Sequence, residues 1–224
     1  MSPVDKAKRY PFAEEIRSYL FVDGEDRPLD DARHLDGRIP VIASGSNASP
    51  VRLREKYGAN ASAIPVTRAR LEGYARVYSA HFAVYGSIPA TLFPQAGVAE
   101  TVAITWLTEA QADRMHETES IGANYGFYRL TELRLTPEIG AVVEDAFAYI
   151  SLPGALHFGE TPTRLEDRSQ EAMLTHARDL LAPDMAIDDF IAEVIHDERI
   201  RQQRKQEIRA YGRPIDIAAA KRVL

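Results

Sequence analysis

Val41-Ile42-Ala43-Ser44-Gly45-Ser46-Asn47-Ala48-Ser49-Pro50 is the stretch from which the rest of this chain is read. Val41 to Ala43 have the composition of the end of a buried strand. Gly45 permits a tight turn that a residue with a Cβ would resist. Ser49-Pro50 is a helix start, with Ser49 as N-cap and Pro50 in the first turn. The helix then runs from Val51 to Tyr57 and stops at Gly58. A strand, a Gly-Ser-Asn loop and a helix N-terminus in succession aim backbone N–H groups at one point, where an anion or a developing oxyanion can be held. Taken alone, such a stretch reads more simply as a strand-to-helix turn.

Outward from this stretch, the N-terminal side is harder to read. Residues 11–20 place Phe12, Ile16, Tyr19 and Leu20 on one helical face, and residues 22–37 read as a loop. On the C-terminal side, residues 63–79 are extended around Gly73. Residues 80–94 read as a loop and a short strand, and Val98 to Leu107 is the clearest strand. Thr108 with Gln111 three residues on is a capping box that opens a helix over residues 109–119. On that helix Ala112, Met115 and Glu119 share one face, whereas Asp113, Arg114 and Glu117 lie elsewhere. Glu119 is therefore a carboxylate on the apolar side of a helix end, partly withdrawn from water. The simpler reading is a frayed end with Glu119 solvated.

Residues 127–135 and 141–152 read as a hairpin joined by Thr136 to Gly140. Residues 163–181 and 186–211 read as helices, the second with Ile187, Phe190, Ile191, Val194 and Ile195 on one stripe. That stripe calls for burial, against this domain or in a homodimer through the C-terminal helices. Arg199, Arg201, Arg204, Lys205 and Arg209 read as a solvated face, with a docking surface for an acidic partner as the alternative.

Composition removes several classes. The 224 residues carry a formal net charge of −6, which argues against a general nucleic-acid binder. There is no cysteine, which excludes disulfides, zinc–thiolate sites and cysteine nucleophiles. No apolar run is long enough to span a bilayer, and Met1 to Tyr10 is charged rather than a signal sequence, so a cytoplasmic location is expected, with no membrane partner. The glycosylation patterns at Asn47 and Asn60 then read as chance matches. Gly-x-Ser-x-Gly, Walker and Gly-x-Gly-x-x-Gly motifs are all missing. His116 and Glu119 stand three apart, a spacing open to a metal, but without further ligands nearby His116 reads as a lone surface histidine, and no metal or cofactor is expected.

Several separated pieces together resemble one family, the γ-glutamylcyclotransferase-like proteins, which include the AIG2-like and ChaC-like proteins. Their signature is a Tyr-Gly-Ser-Asn loop after the first strand, matched here by Ser44, Gly45, Ser46 and Asn47. The pieces Ala90 to Pro94, Val98 to Leu107, Leu107-Thr108 and Met115 to Glu119 follow in the family's order. The resemblance places the catalytic carboxylate on Glu119. It matches a Tyr-x-Arg-like element with Tyr125 or with Tyr128-Arg129, and a terminal aromatic strand with Ala146 to Tyr149. Ser44 departs from the family's tyrosine.

The resemblance covers residues 39–152. It implies an α+β fold, a small mixed β-barrel-like sheet with flanking helices, to which an α-helical C-terminal extension is added. The expected division is an N-terminal extension (1–38), the γ-glutamylcyclotransferase-like domain (39–158) and a helical extension (159–224) packed on it. The implied reaction is intramolecular aminolysis of a small-molecule γ-glutamyl substrate, releasing 5-oxoproline, with Glu119 catalytic and Ser44, Gly45, Ser46, Asn47, Tyr125, Tyr128 and Tyr149 binding substrate. A non-catalytic binding module of the same fold is the rival.

Overall fold

A computed structural model describes residues 1–12 and 15–224. Its elements are α1 (Pro3–Lys8), β1 (Tyr19–Val22), β2 (Glu25–Arg27), β3 (Ile39–Ala43), α2 (Pro50–Tyr57), β4 (Ile64–Tyr78), β5 (Ala90–Leu107), α3 (Glu109–Thr118), β6 (Tyr125–Leu130), β7 (Leu135–Pro137), β8 (Ala146–Ser151) and β9 (Ala155–Leu156). They continue with α4 (Gln170–Leu181), α5 (Ile187–His196), α6 (Glu198–Arg209), β10 (Gly212–Arg213) and β11 (Ala220–Arg222).

The fold is α+β around one large mixed sheet in the order β11-β6-β8-β3-β5-β4-β1-β2, with β7 also on β4. Only β3 and β8 pair in parallel among these neighbours. The hydrogen-bonded path ends on β11 and β2 without closing, so the expected barrel-like sheet is an open one. β4 and β5 are its long central pair, and their register shifts between Glu72 and Tyr74. Gly73 sits at that irregularity with φ +80°, a conformation that favours glycine. The short strand and the long strand expected between residues 90 and 107 are one continuous β5.

Strands from both flanks join this sheet. β1 pairs with β4, and β11 pairs with β6. The helix expected over residues 11–20 is not formed at its C-terminal end: Tyr19 to Val22 alternate buried and half-buried as a strand, and Phe12 has φ +67°. Residues 13 and 14 of that expected helix lie outside the described residues. The loop expected over 22–37 contains β2 and a short 3-10 turn at Ala32–Leu35. The predicted hairpin pairs as antiparallel β6 and β8, but its assumed turn is wrong, because Leu135 to Pro137 pair with β4.

Two apolar cores follow from strand alternation. Val41, Ala43, Leu53, Met115, Tyr125, Phe127 and Tyr149 pack on one face, under α2 and α3. Ile42, Leu71, Val102, Ile104 and Leu130 pack on the other. A third core joins α1, α4, α5 and α6 to Phe82 and Ile88. There Phe190, Ile191 and Val194 are fully buried, each contributing roughly 1.5–3 kcal/mol. The α5 stripe is thus covered within the chain, and a homodimer through these helices would need a different surface. The long helix expected over 186–211 is two, broken at Asp197, whose carboxylate accepts from the Ile200 N–H to cap α6. Among the described residues, no helix is long and apolar enough to cross a membrane.

Candidate active site

The loop after β3 is a 3-10 turn, Ser46–Ala48, leading directly into α2. Ser49 N–H donates to the Ser46 carbonyl at 2.9 Å. The Ser49 hydroxyl donates to the Phe12 carbonyl at 3.0 Å rather than capping α2. Two neighbouring strands hold the turn in place. Tyr19 of β1 donates to the Ala48 carbonyl at 2.6 Å, and Thr105 of β5 to the Asn47 carbonyl at 3.3 Å. Gly45 is required here for space. A Cβ at this position would stand 1.8 Å from the Tyr10 hydroxyl, which itself accepts the Ala90 N–H at 2.9 Å. Gly45→Ala is expected to push the Tyr10 ring aside and cost about 1–3 kcal/mol; an unchanged urea midpoint would mean that the ring yields freely.

The second wall comes from α3. Its capping box forms as the sequence indicates, the Thr108 side chain accepting from Gln111 N–H at 3.2 Å and the Gln111 side chain accepting from Thr108 N–H at 3.0 Å. The helix ends at Glu119 as its C-cap. Glu119 is 14% exposed and bridges to the loop: Asn47 Nδ2 donates to Glu119 Oε1 at 3.1 Å. Lys56 of α2, only 3% exposed, also donates to that oxygen and lies 3.0 Å from Met115 Sδ. Burial pushes the Lys56 ammonium's pKa down, while the Glu119 carboxylate pulls it back up. Glu119 Oε2 has no protein hydrogen bond among the described residues, so this oxygen remains available.

These elements enclose a pocket of about 220 Å³. Ser44, Gly45, Ser46 and Asn47 line it together with Glu119, Tyr125 and Tyr149. Tyr128 does not. Alternation along β6 turns Tyr125 towards the α2–α3 face and Tyr128 towards the opposite core, so of the two tyrosines Tyr125 is the one that lines the pocket. Tyr125 donates to the Ala90 carbonyl at 3.1 Å, and burial holds its hydroxyl well above the usual range. Tyr149 bonds His116 Nδ1 at 2.8 Å, so His116 is a packed partner of the site rather than a lone surface histidine. Its ring also packs edge-on against Phe127, with centroids 4.5 Å apart.

Four further lining residues carry no local signal that identifies them: Tyr10, Arg52, His81 and Lys205. Tyr10 stacks on Tyr85, and the Arg52 guanidinium lies 5.2 Å from the Tyr85 ring centre. His81 is 2% exposed and terminates a buried hydrogen-bond chain. Ser151 donates to the Gly154 carbonyl at 2.9 Å. Its single proton is then used, so Ser79 donates to Ser151 at 2.6 Å. Ser79 in turn accepts from His81 Nδ1–H at 2.7 Å, which leaves Nε2 as the bare nitrogen of a ring that lines the pocket. Burial, with Lys205 and Arg209 nearby, drives the His81 pKa down to about 3, so this imidazole is neutral at neutral pH. Among the described residues there is no group of three or more His, Asp or Glu placed to hold a metal.

No family model matches the chain, and no curated protein matches it. Among solved structures, it is similar to the solution structure of an Arabidopsis thaliana protein at 16% identity and a TM-score of 0.42, over 58% of this chain and 79% of that one. A second Arabidopsis thaliana solution structure aligns at 14% identity and a TM-score of 0.42, over 77% and 90% of the two chains. A gamma-glutamyl cyclotransferase aligns at 14% identity and a TM-score of 0.40, over 81% and 91%.

Proposed function

We propose that this chain is a γ-glutamylcyclotransferase-like enzyme that converts a γ-glutamyl compound to 5-oxoproline and a free amine or amino acid. One observation carries the reading: the carboxylate on the apolar side of α3 lines the same pocket as the Gly-Ser-Asn loop and touches it through Asn47. The substrate's α-amine attacks its own γ-carbonyl, forming the lactam C–N bond, and the bond to the leaving nitrogen breaks. Two protons pass from the attacking nitrogen to the leaving one, and Glu119 Oε2 takes the first, since only the neutral amine attacks. Backbone N–H groups of Gly45, Ser46 and Asn47 hold the substrate's carboxylate or the oxyanion. The pocket walls keep the substrate folded with amine and carbonyl in contact.

Ser44 stands where the family signature has tyrosine. Tyr10 and Tyr85 bring rings to the same wall from elsewhere in the chain, so the pocket keeps an aromatic side. The location this reading calls for is the cytoplasm, where small γ-glutamyl compounds are found.

The Lys56 ion pair favours a second reading, a non-catalytic binding module, because it engages the carboxylate that must act as base. A mass-spectrometric screen of γ-glutamyl compounds separates the two. Release of 5-oxoproline is the expected result. Binding of those compounds without any release would leave the module reading in its place.

A further inference from the structure

Among the described residues, the one acidic residue lining this pocket is Glu119, already paired with Lys56. Of its two cationic lining residues, Arg52 is paired with Glu55 and faces the Tyr85 ring. Lys205 has no carboxylate within ion-pair distance among the described residues, and it is half-buried. Burial and two more cations on the same helix, Arg201 and Arg209, push its pKa down, against a smaller opposite pull from Glu198, which lies beyond ion-pair distance. A half-buried, unpaired ammonium facing a cavity gains from any anion placed there.

The rest of α6 fixes where that ammonium points. Arg204 Nη1 donates to the Leu181 carbonyl at 2.7 Å, and Arg201 Nη1 to the carbonyls of Val194 and Ile195 at 2.9 and 3.0 Å. Ile208 is fully buried in the third core. These contacts tie α6 to α4 and α5, so part of the basic run expected to be a solvated face is structural, and Lys205 is left on the pocket side. Its charge is felt at His81 inside the pocket.

We propose that Lys205 reads a carboxylate on the leaving half of the substrate, so that the site takes γ-glutamyl amino acids or peptides in preference to γ-glutamyl alkylamines. This rests on the cyclotransferase reading for the position of the γ-glutamyl half, which the Ser44–Asn47 loop and Glu119 occupy. The leaving half then lies towards α6, where Lys205 supplies a lining cation that has no ion-pair partner among the described residues.

Calorimetric titration of the Glu119→Gln protein, which should bind without turnover, with γ-glutamylalanine and with its C-terminal amide tests this, because the two ligands differ only in the leaving-group carboxylate. The acid should bind about ten- to a hundredfold more tightly, the span expected for a charge-assisted hydrogen bond. Lys205→Ala should bring the acid's affinity to that of the amide and leave the amide unchanged, while Lys205→Arg should restore most of the difference. Equal binding of both ligands in the Glu119→Gln background, equal weakening of both by adding Lys205→Ala, or no binding of either would overturn the assignment. Lactam release, measured separately with protein that keeps Glu119, keeps the two readings apart. A Lys205-dependent preference without 5-oxoproline would sink the cyclotransferase reading alone. Release from both ligands with no preference would sink the carboxylate assignment alone.

Discussion

Glu119→Gln is expected to abolish 5-oxoproline formation while leaving the protein folded. The substitution keeps the Asn47 contact, since a side-chain carbonyl can still accept from Nδ2, but it removes the proton acceptor. Loss of a general base costs on the order of a hundredfold to ten-thousandfold in rate. The effect should fall on kcat, because the proton moves in the transition state and substrate binding changes little. Glu117 is the control: it is exposed on the other side of α3 and pairs with Arg114, so Glu117→Gln should leave turnover unchanged. Near-wild-type turnover by Glu119→Gln on a proven substrate would reject the assignment. Lys56 sharpens the test. Its ammonium is buried against the same oxygen, so Glu119→Gln also removes that ammonium's charge partner, and part of any loss of stability belongs to Lys56 rather than to the chemistry.

The second large effect concerns acid. His81 is neutral in the fold with a pKa of about 3, against 6.5 when solvated. The unfolded chain therefore binds the extra proton between these values, and the folded chain does not. The resulting stabilisation is complete above pH 6.5 and is lost progressively as the pH falls towards 3, amounting to about 5 kcal/mol at the extreme. His81→Asn removes the titration, and its amide can replace Nδ1–H as donor to Ser79. The variant should be less stable than wild type at pH 7, because the ring leaves a void. The gap should narrow through pH 5 and 4 in urea titrations. A gap that stays constant with pH would show that the ring takes up its proton as readily in the fold as in water.

Local chemistry explains which parts of the site were legible. The strand before Ser44, the Pro50 helix start, the Gly58 stop and the Thr108–Gln111 box all depend on neighbours in sequence, and all formed. Glu119 followed from helical spacing to Met115. Spacing within one helix could not show Lys56, which arrives from α2 through the docking of two helices. Residues 11–20 misled because four apolar positions at helical offsets also fit a short strand, and the pairing of Tyr19 to Phe21 with β4 decided it. Thr136-Pro137 misled because the pair has turn composition. Pro137 instead closes the three-residue strand β7, where its missing N–H is tolerated at the end of the ladder. Tyr10 and Lys205 could not be placed at the pocket from the sequence, since nothing local in residues 1–12 or 198–209 refers to a loop at 44–47.

The pocket's walls come from both extremes of the chain, with Tyr10 on one side and Lys205 on another. During synthesis the loop, Glu119 and both β-strand tyrosines leave the ribosome well before α6 does. At roughly 5–20 residues per second, the interval between Tyr149 and Lys205 lasts several seconds. Over that interval the nascent chain has Glu119 and the Ser44–Asn47 turn without the lysine that lines the same cavity. A ligand that needs Lys205 could therefore be held only once α6 has been made, and would act as a late seal on α6 rather than as a template for the sheet.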